Sequence, residues 1–203
     1  MGSKKEVTIG YKYYLGMHMV ICHGPVDSLT RIDVGERTAW GGNVTGSSQI
    51  YINNPDLFGG EKKEGGVQGY VDVMMGDASQ AKNDYLVSQL GGIIPAFRGI
   101  VSLVLRQCYV TAMSPYPKSW SFLVKRIPAK DWYAAKADIN GSANAAHIIY
   151  ETITNTQWGM GYAADTIDDA SFRSVADTLY AEGLGLSFEM TNTDSIENFI
   201  YIG

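Results

Sequence analysis

The residues of this chain that could do chemistry are few. It holds three histidines and two cysteines in 203 residues, and metal-ligand types gather only at His18, Cys22 and His23. On an extended strand His18 and Cys22 share a face but stand about 13 Å apart, and His23 points the other way, so the three reach one ion only through a sharp bend. A nucleophilic triad needs a serine or cysteine with a histidine and an acid. Only His18, His23 and His147 are on offer, and no Gly-x-Ser-x-Gly elbow occurs. Asp168-Asp169 is the obvious carboxylate pair for glycoside hydrolysis. It stands directly before an amphipathic segment, however, where acidic side chains cap first-turn N–H groups and complement the helix dipole. Gly159-Met160-Gly161 has neither a Gly-Lys-Ser/Thr ending nor the Gly-x-Gly-x-x-Gly spacing of a phosphate loop, and reads as a bend that lets two helices pack closely. These readings assign no catalytic residue, no metal and no cofactor.

The elements that must carry these residues follow from composition and pattern. The length suits one large domain, or one with a small companion. Hydrophobic residues at 45% against 18% charged exclude intrinsic disorder. The 23 glycines fall in pairs and clusters without a collagen period, which implies many turns and hence many strands. A net charge of −5 gives no electrostatic reason to bind nucleic acid. No apolar run approaches the roughly 18 to 20 residues of a membrane span, and no apolar signal core follows Met1, so the expectation is a soluble chain made in a cytoplasm. Cys22 and Cys108 read as reduced core thiols.

Residues 7–15 alternate with period two, as in a half-buried strand, and after Gly16 the apolar run 17–22 reads as a second strand covered on both faces. Residues 31–34 and 38–40 flank Gly35-Glu36, a hairpin turn. Residues 49–53 and 67–75 are further strands. Between them lies an exposed, mobile loop with four consecutive charges between glycine pairs. Asp77 caps a helix near 78–90 that stops at Gly91-Gly92. The strands 100–113 and 120–127 read as a long antiparallel pair. Beyond Pro128 helices are expected near 143–154 and 170–182, the second with Phe172, Val175, Ala176, Leu179 and Tyr180 on one side. A strand near 184–190 follows. The predicted fold is α+β: residues 1–130 form a mainly antiparallel β-barrel or sandwich with one helix, and residues 131–203 a smaller, helix-rich α/β region. A helix begun at Asp194 with an acidic first turn and cut three residues after Ile200 suggests a segment of a longer polypeptide.

Specific strings carry a resemblance. Gly10-Tyr11-Lys12-Tyr13-Tyr14-Leu15-Gly16-Met17-His18-Met19, Cys22-His23-Gly24-Pro25-Val26-Asp27, Leu57-Phe58-Gly59-Gly60-Glu61-Lys62-Lys63-Glu64-Gly65-Gly66, Tyr70-Val71-Asp72-Val73, Trp158-Gly159-Met160-Gly161-Tyr162 and Ile167-Asp168-Asp169-Ala170-Ser171-Phe172 lie in one collinear order. Together they resemble the phage tail tip and baseplate hub family, which includes the host-specificity protein of lambda-like phages. The resemblance implies a virion protein made in a bacterial host: a hub with a tube-like β domain at the distal end of the tail tube. It further implies a homotrimer that contacts the tube and other tail tip proteins, with a part in host attachment and DNA delivery and without catalytic site or cofactor. Family members are several times longer, and Met1-Gly2-Ser3 suits an excised fragment.

A ring needs two complementary surfaces per chain. The expected interaction loop is Phe58 with Glu61, Lys62, Lys63 and Glu64, and the alternative is a solvated hairpin tip. Trp158, Gly159, Met160, Gly161 and Tyr162 with Phe172 are expected to fix the packing of the second region, with the Trp158 ring in a core. Two other readings stay open: a carbohydrate-binding β module, supported by the tyrosines and tryptophans, and a cell-wall glycoside hydrolase using two carboxylates.

Overall fold

Alternation builds the first sheet. Along β1 (Lys12–His23) the odd-numbered Leu15, Met17, Met19 and Ile21 turn toward a hydrophobic core, as period two requires. The computed structural model describes residues 10–187, in two units that divide between Lys125 and Arg126.

The first unit adds β2 (Ser28–Val34), β3 (Arg37–Val44), β4 (Ser48–Asn54), β5 (Val67–Met74), α1 (Asp84–Leu90), β6 (Ile100–Ala112) and β7 (Trp120–Lys125). Two antiparallel sheets result, in the orders β1-β6-β5-β4 and β3-β2-β7. Leu29, Ile32 and Val34 from the smaller sheet share one buried cluster with Ile52, Val71, Val73, Leu103 and Leu105 from the larger. The architecture is therefore a sandwich of open sheets within an α+β chain, and no barrel closes among the described residues.

Several expectations are corrected. Gly16 does not divide two strands, because β1 runs through it, and as an edge strand it leaves Val20 64% exposed instead of covering both faces. Strands β6 and β7 do not pair: β6 lies between β1 and β5, while β7 joins β2 in the other sheet. β1 and β5 take both edges of β6, while the sandwich core covers Val101, Leu103 and Leu105 on one face and Leu86 of α1 covers Val104 on the other; Pro115 and Pro117, which lack an N–H, lie in the link that carries the chain across. The hairpin turn does form at Gly35 and Glu36, both with positive φ (51° and 65°), as a two-residue connection demands.

The first helix is shorter than its pattern. Asp77 does not cap it; Asn83 does, its Oδ1 accepting from Leu86 N at 2.9 Å. Residues 78–83 are held out of the helix by buried Gln80, whose Oε1 accepts from Gly76 N and whose Nε2 donates to the carbonyls of Ala96 and Phe97, each at 2.8 Å.

Helix α1 covers the face of the larger sheet turned away from the sandwich core, where Leu86, Met74 and Val104 pack together. A polar cluster holds it there. Buried Asp72 accepts from Gln49 Nε2 at 2.8 Å, from Asn83 Nδ2 at 2.7 Å and from Arg106 Nε at 2.7 Å, and Arg106 also pairs with Asp84 at the start of α1. The Arg106 guanidinium holds the Asp84 carboxyl below its ordinary pKa.

In the second unit β8 (Asp138–Ile139), β9 (Ser142–Asn144) and β10 (Gly185–Leu186) form a small sheet in the order β10-β9-β8, beside α2 (Ala145–Thr154) and α3 (Asp169–Glu182). Fully buried Asn144 joins them: its Oδ1 caps α2 at Ala146 N, and its Nδ2 donates to the carbonyls of Lys136 and of Ala176 in α3. This cap starts α2 two residues later than its periodicity suggests. On α3 Ala176 is buried, but Val175 and Tyr180 are 50% and 41% exposed, so the apolar stripe is narrower than expected. Gly183 stops α3 in the left-handed region. The expected helix from Asp194, and residues 188–190 of the expected strand, lie outside the described residues.

Asp72→Ala leaves Arg106 and Asn83 without their shared acceptor in a largely buried site. It should lower stability to urea by about 3 kcal/mol, measured as the shift in unfolding midpoint of the full chain.

Candidate functional site

The charged loop is a protrusion bonded to the body of the first unit. Phe58 is 9% exposed, with Lys118 Nζ 4.9 Å and the Arg37 guanidinium 5.9 Å from its ring centre. Gly60 and Gly65 bridge the loop, and the Glu64 carbonyl accepts from Ala112 N at 3.1 Å and from Thr111 Oγ1 at 3.3 Å. The backbone expected to be mobile is thus bonded to the end of β6. Glu61 and Glu64, exposed as expected, pair with Lys12 and Lys118; these contacts raise the Lys12 pKa and lower that of Glu64. Lys62 and Lys63 are exposed and make no ion pair with any described residue, so the tip presents two uncompensated positive charges.

The connector 158–162 links α2 to α3, which pack against each other. It folds back on the end of α2, with Gly159 N donating to Asn155 O, Met160 N to Thr152 O and Tyr162 N to Ile153 O. A Cβ at Gly159 would stand 2.4 Å from the Thr152 carbonyl oxygen, so only glycine fits there. Gly161 bends the chain with φ of 73°. Trp158 is half-buried, while Met160 and Tyr162 are 50% and 53% exposed. The rings that meet Phe172 are Trp132 and Tyr150, not Trp158.

That aromatic cluster is the packing centre the sequence reading missed. Trp132 stacks on Tyr150 with ring centres 4.3 Å apart and meets His147 edge-on at 4.8 Å. Its Nε1 donates to Asp169 Oδ1 at 2.7 Å, and Arg173 Nε donates to Asp169 Oδ2 at 2.7 Å. Arg173, followed by Trp132, holds the Asp169 carboxyl below its ordinary pKa. Asp168 is the N-cap of α3, accepting from Ser171 N. Both carboxylates of the candidate hydrolytic pair therefore have structural partners.

The histidine and cysteine cluster is dispersed. An extra residue in β1 between Val20 and Cys22 puts His18 and Cys22 on opposite faces, where a regular strand would put them on one. Cys22 packs toward the sandwich core, while His18 meets the Phe97 ring at 4.5 Å on the helix side. Among the described residues no three His, Cys, Asp or Glu side chains come together. Cys108 is buried and donates to the Tyr70 carbonyl at 3.0 Å, and burial pushes its thiol pKa up to about 11.

One cavity, of about 570 Å³, lies beside α1 over the edge of the larger sheet, with Tyr14, Gly16, Tyr85, Gln89, Leu90 and Gln107 on its walls. These residues are scattered over more than ninety positions, so no local motif announces them. The one local signal is Arg106-Gln107, a polar pair interrupting the apolar run of β6. It marks a bulge against both neighbours, with Gln107 at φ of 49°. No helix among the described residues is long and apolar enough to cross a membrane. No protein-family model matches the chain, and neither does any curated protein.

Two outcomes test the second unit. Trp132→Ala should cost about 3 kcal/mol, whereas Trp158→Ala should cost about 1 kcal/mol, compared by urea unfolding. Burial lowers the pKa of fully buried His147 and of half-buried His18 from the ordinary 6.5. The unfolded chain therefore takes up protons first, so stability is full above about pH 6.5 and falls as pH drops below it. Midpoints measured from pH 7 to 5 should decline, and His147→Phe should flatten that slope.

Proposed function

We propose that this chain is a structural part of the tail tip or baseplate hub of a phage or phage-like particle. In this reading it continues or closes the distal end of the tail tube, assembles with itself as a trimer, and contacts the tube and other tip proteins during host attachment and DNA delivery. The collinear strings from Gly10 to Phe172 suggest the family. The buried ionisable groups agree with a building block: Asp72 anchors α1, while Glu151 accepts from Arg126 and from Ala129 N.

The observation that carries the reading is the Phe58–Gly66 loop. A contact between protein copies is strongest when its surface is already ordered, since association otherwise costs the entropy of ordering it. This loop keeps its backbone bonded and its Phe58 ring covered while Lys62 and Lys63 project from the tip. In a chain of net charge −5, such a tip suits an acidic surface on a neighbouring copy.

Native mass measurement of the full chain tests it. The wild type should form trimers, and Lys62→Glu with Lys63→Glu should weaken their association about tenfold, roughly 1.4 kcal/mol, without changing the fold. Raising the salt concentration should weaken the wild type in the same direction. A wild type that remains monomeric alone and with tail tube protein, or a double variant that assembles equally well, would overturn the reading.

A further inference from the structure

We propose that the cavity beside α1 is a binding site for a neutral saccharide. This inference does not depend on the hub reading, and rests on what the walls offer and how they are built.

The walls, completed by Met17, His18 and Leu86, hold no Asp, Glu, Lys or Arg, and burial disfavours the charged form of His18, their one titratable cation. Of the six wall residues named above, four present uncharged hydrogen-bonding groups: the phenols of Tyr14 and Tyr85 and the carboxamides of Gln89 and Gln107. Among the described residues the Tyr85 hydroxyl and the Gln107 amide have no hydrogen-bond partner, and Gln89 has only a 3.4 Å contact to Ser88. The 61% exposed ring of Tyr14 and the 70% exposed Leu90 supply apolar surface beside them. A pyranose has this same division, with an apolar C–H face and a rim of hydroxyls that both donate and accept. A volume of about 570 Å³ lies within the roughly 300 to 1,000 Å³ of small-ligand sites.

Charged ligands fit less well. Arg106 lies with its guanidinium 5.6 Å from the Tyr85 ring centre, but it is already engaged by Asp72 and Asp84. An anion entering the cavity would lose water without gaining a counter-charge.

Two backbone features shape the cavity walls. A Cβ at Gly16 would stand 2.5 Å from the Tyr85 hydroxyl, so glycine is what lets that hydroxyl lie against β1. The bulge in β6 holds Gln107, a residue with a side chain, at a φ of 49°. Bulges re-aim side chains, and strained positions of this kind cluster where ligands are held.

The test is a two-dimensional amide NMR titration of the full chain with maltotriose, cellotriose, triacetylchitotriose and, separately, acetyl-trialanine amide. At least one saccharide should shift the amides of Gly16, Tyr85, Gln89 and Gln107. Gln107→Gly, which suits the positive φ and so preserves the fold, should weaken that binding at least tenfold, as should Gln89→Ala on the exposed end of α1. The proposal fails if no saccharide shifts these amides, if binding there is unchanged in both variants, or if only the peptide binds, which would make the cavity a peptide site.

Discussion

One buried carboxylate holds the first unit's outer layer in place. Asp72 projects from the middle of β5, on the face opposite the sandwich core, and its two oxygens receive three donors from three different elements. A carboxylate buried without such partners would be costly; satisfied by an amide from β4, the capping asparagine of α1 and the guanidinium of β6, it becomes the point where those elements are registered. Asn83 makes the arrangement economical, because its amide donates to Asp72 while its carbonyl oxygen caps the helix that Asp72 anchors. Helix α1 has only seven residues, too few for stability on its own. Its position depends on this cluster and on Leu86 packing against Met74 and Val104.

The second unit solves the same problem with an asparagine and a ring stack. Asn144 stands at the junction of β9 and α2 and uses both ends of its amide, so a single side chain fixes the start of α2 and its approach to α3. Trp132 then fills the space beside α2 and α3, and Asp169 receives both its indole N–H and the Arg173 guanidinium. In both units a polar side chain sets the geometry that apolar contacts then fill.

Features with local causes were legible in the sequence. Period-two alternation placed the strands, Gly35-Glu36 placed the hairpin, Gly91 and Gly183 placed helix ends, and Asp168 read as a cap. What escaped depended on distant partners. Asp77 and Asn83 are equally good caps by type, and only Gln80, by bonding residues 76, 96 and 97, decides between them. The separation of β6 from β7 follows from β1 and β5 taking both edges of β6, long-range pairings that periodicity does not report. Trp132 and Trp158 look alike in sequence, yet only Trp132 has Tyr150, His147 and Phe172 around it. The cavity draws on β1, α1 and β6 at once, and its sole local mark was a polar pair inside an apolar strand. The charges of the 61–64 loop were plain to read, while its anchoring to Thr111 and Ala112 was not.

The order of pairing in the sandwich also bears on how the first unit comes into being. Within the unit β1 and β2 are made before the other strands, but β1 pairs with β6 and β2 pairs with β3 and β7; Thr30 and the Leu123 carbonyl that it bonds are 93 positions apart. Loop closure over such distances comes before the contacts that reward it, which makes folding slow. Until β6 and β7 emerge, neither sheet has all its strands, and the apolar faces of β1 and β2 wait uncovered. Both sheets of the sandwich are therefore completed by the unit's last two strands and nearly together, which leaves the unit's apolar faces most exposed to aggregation just before it closes.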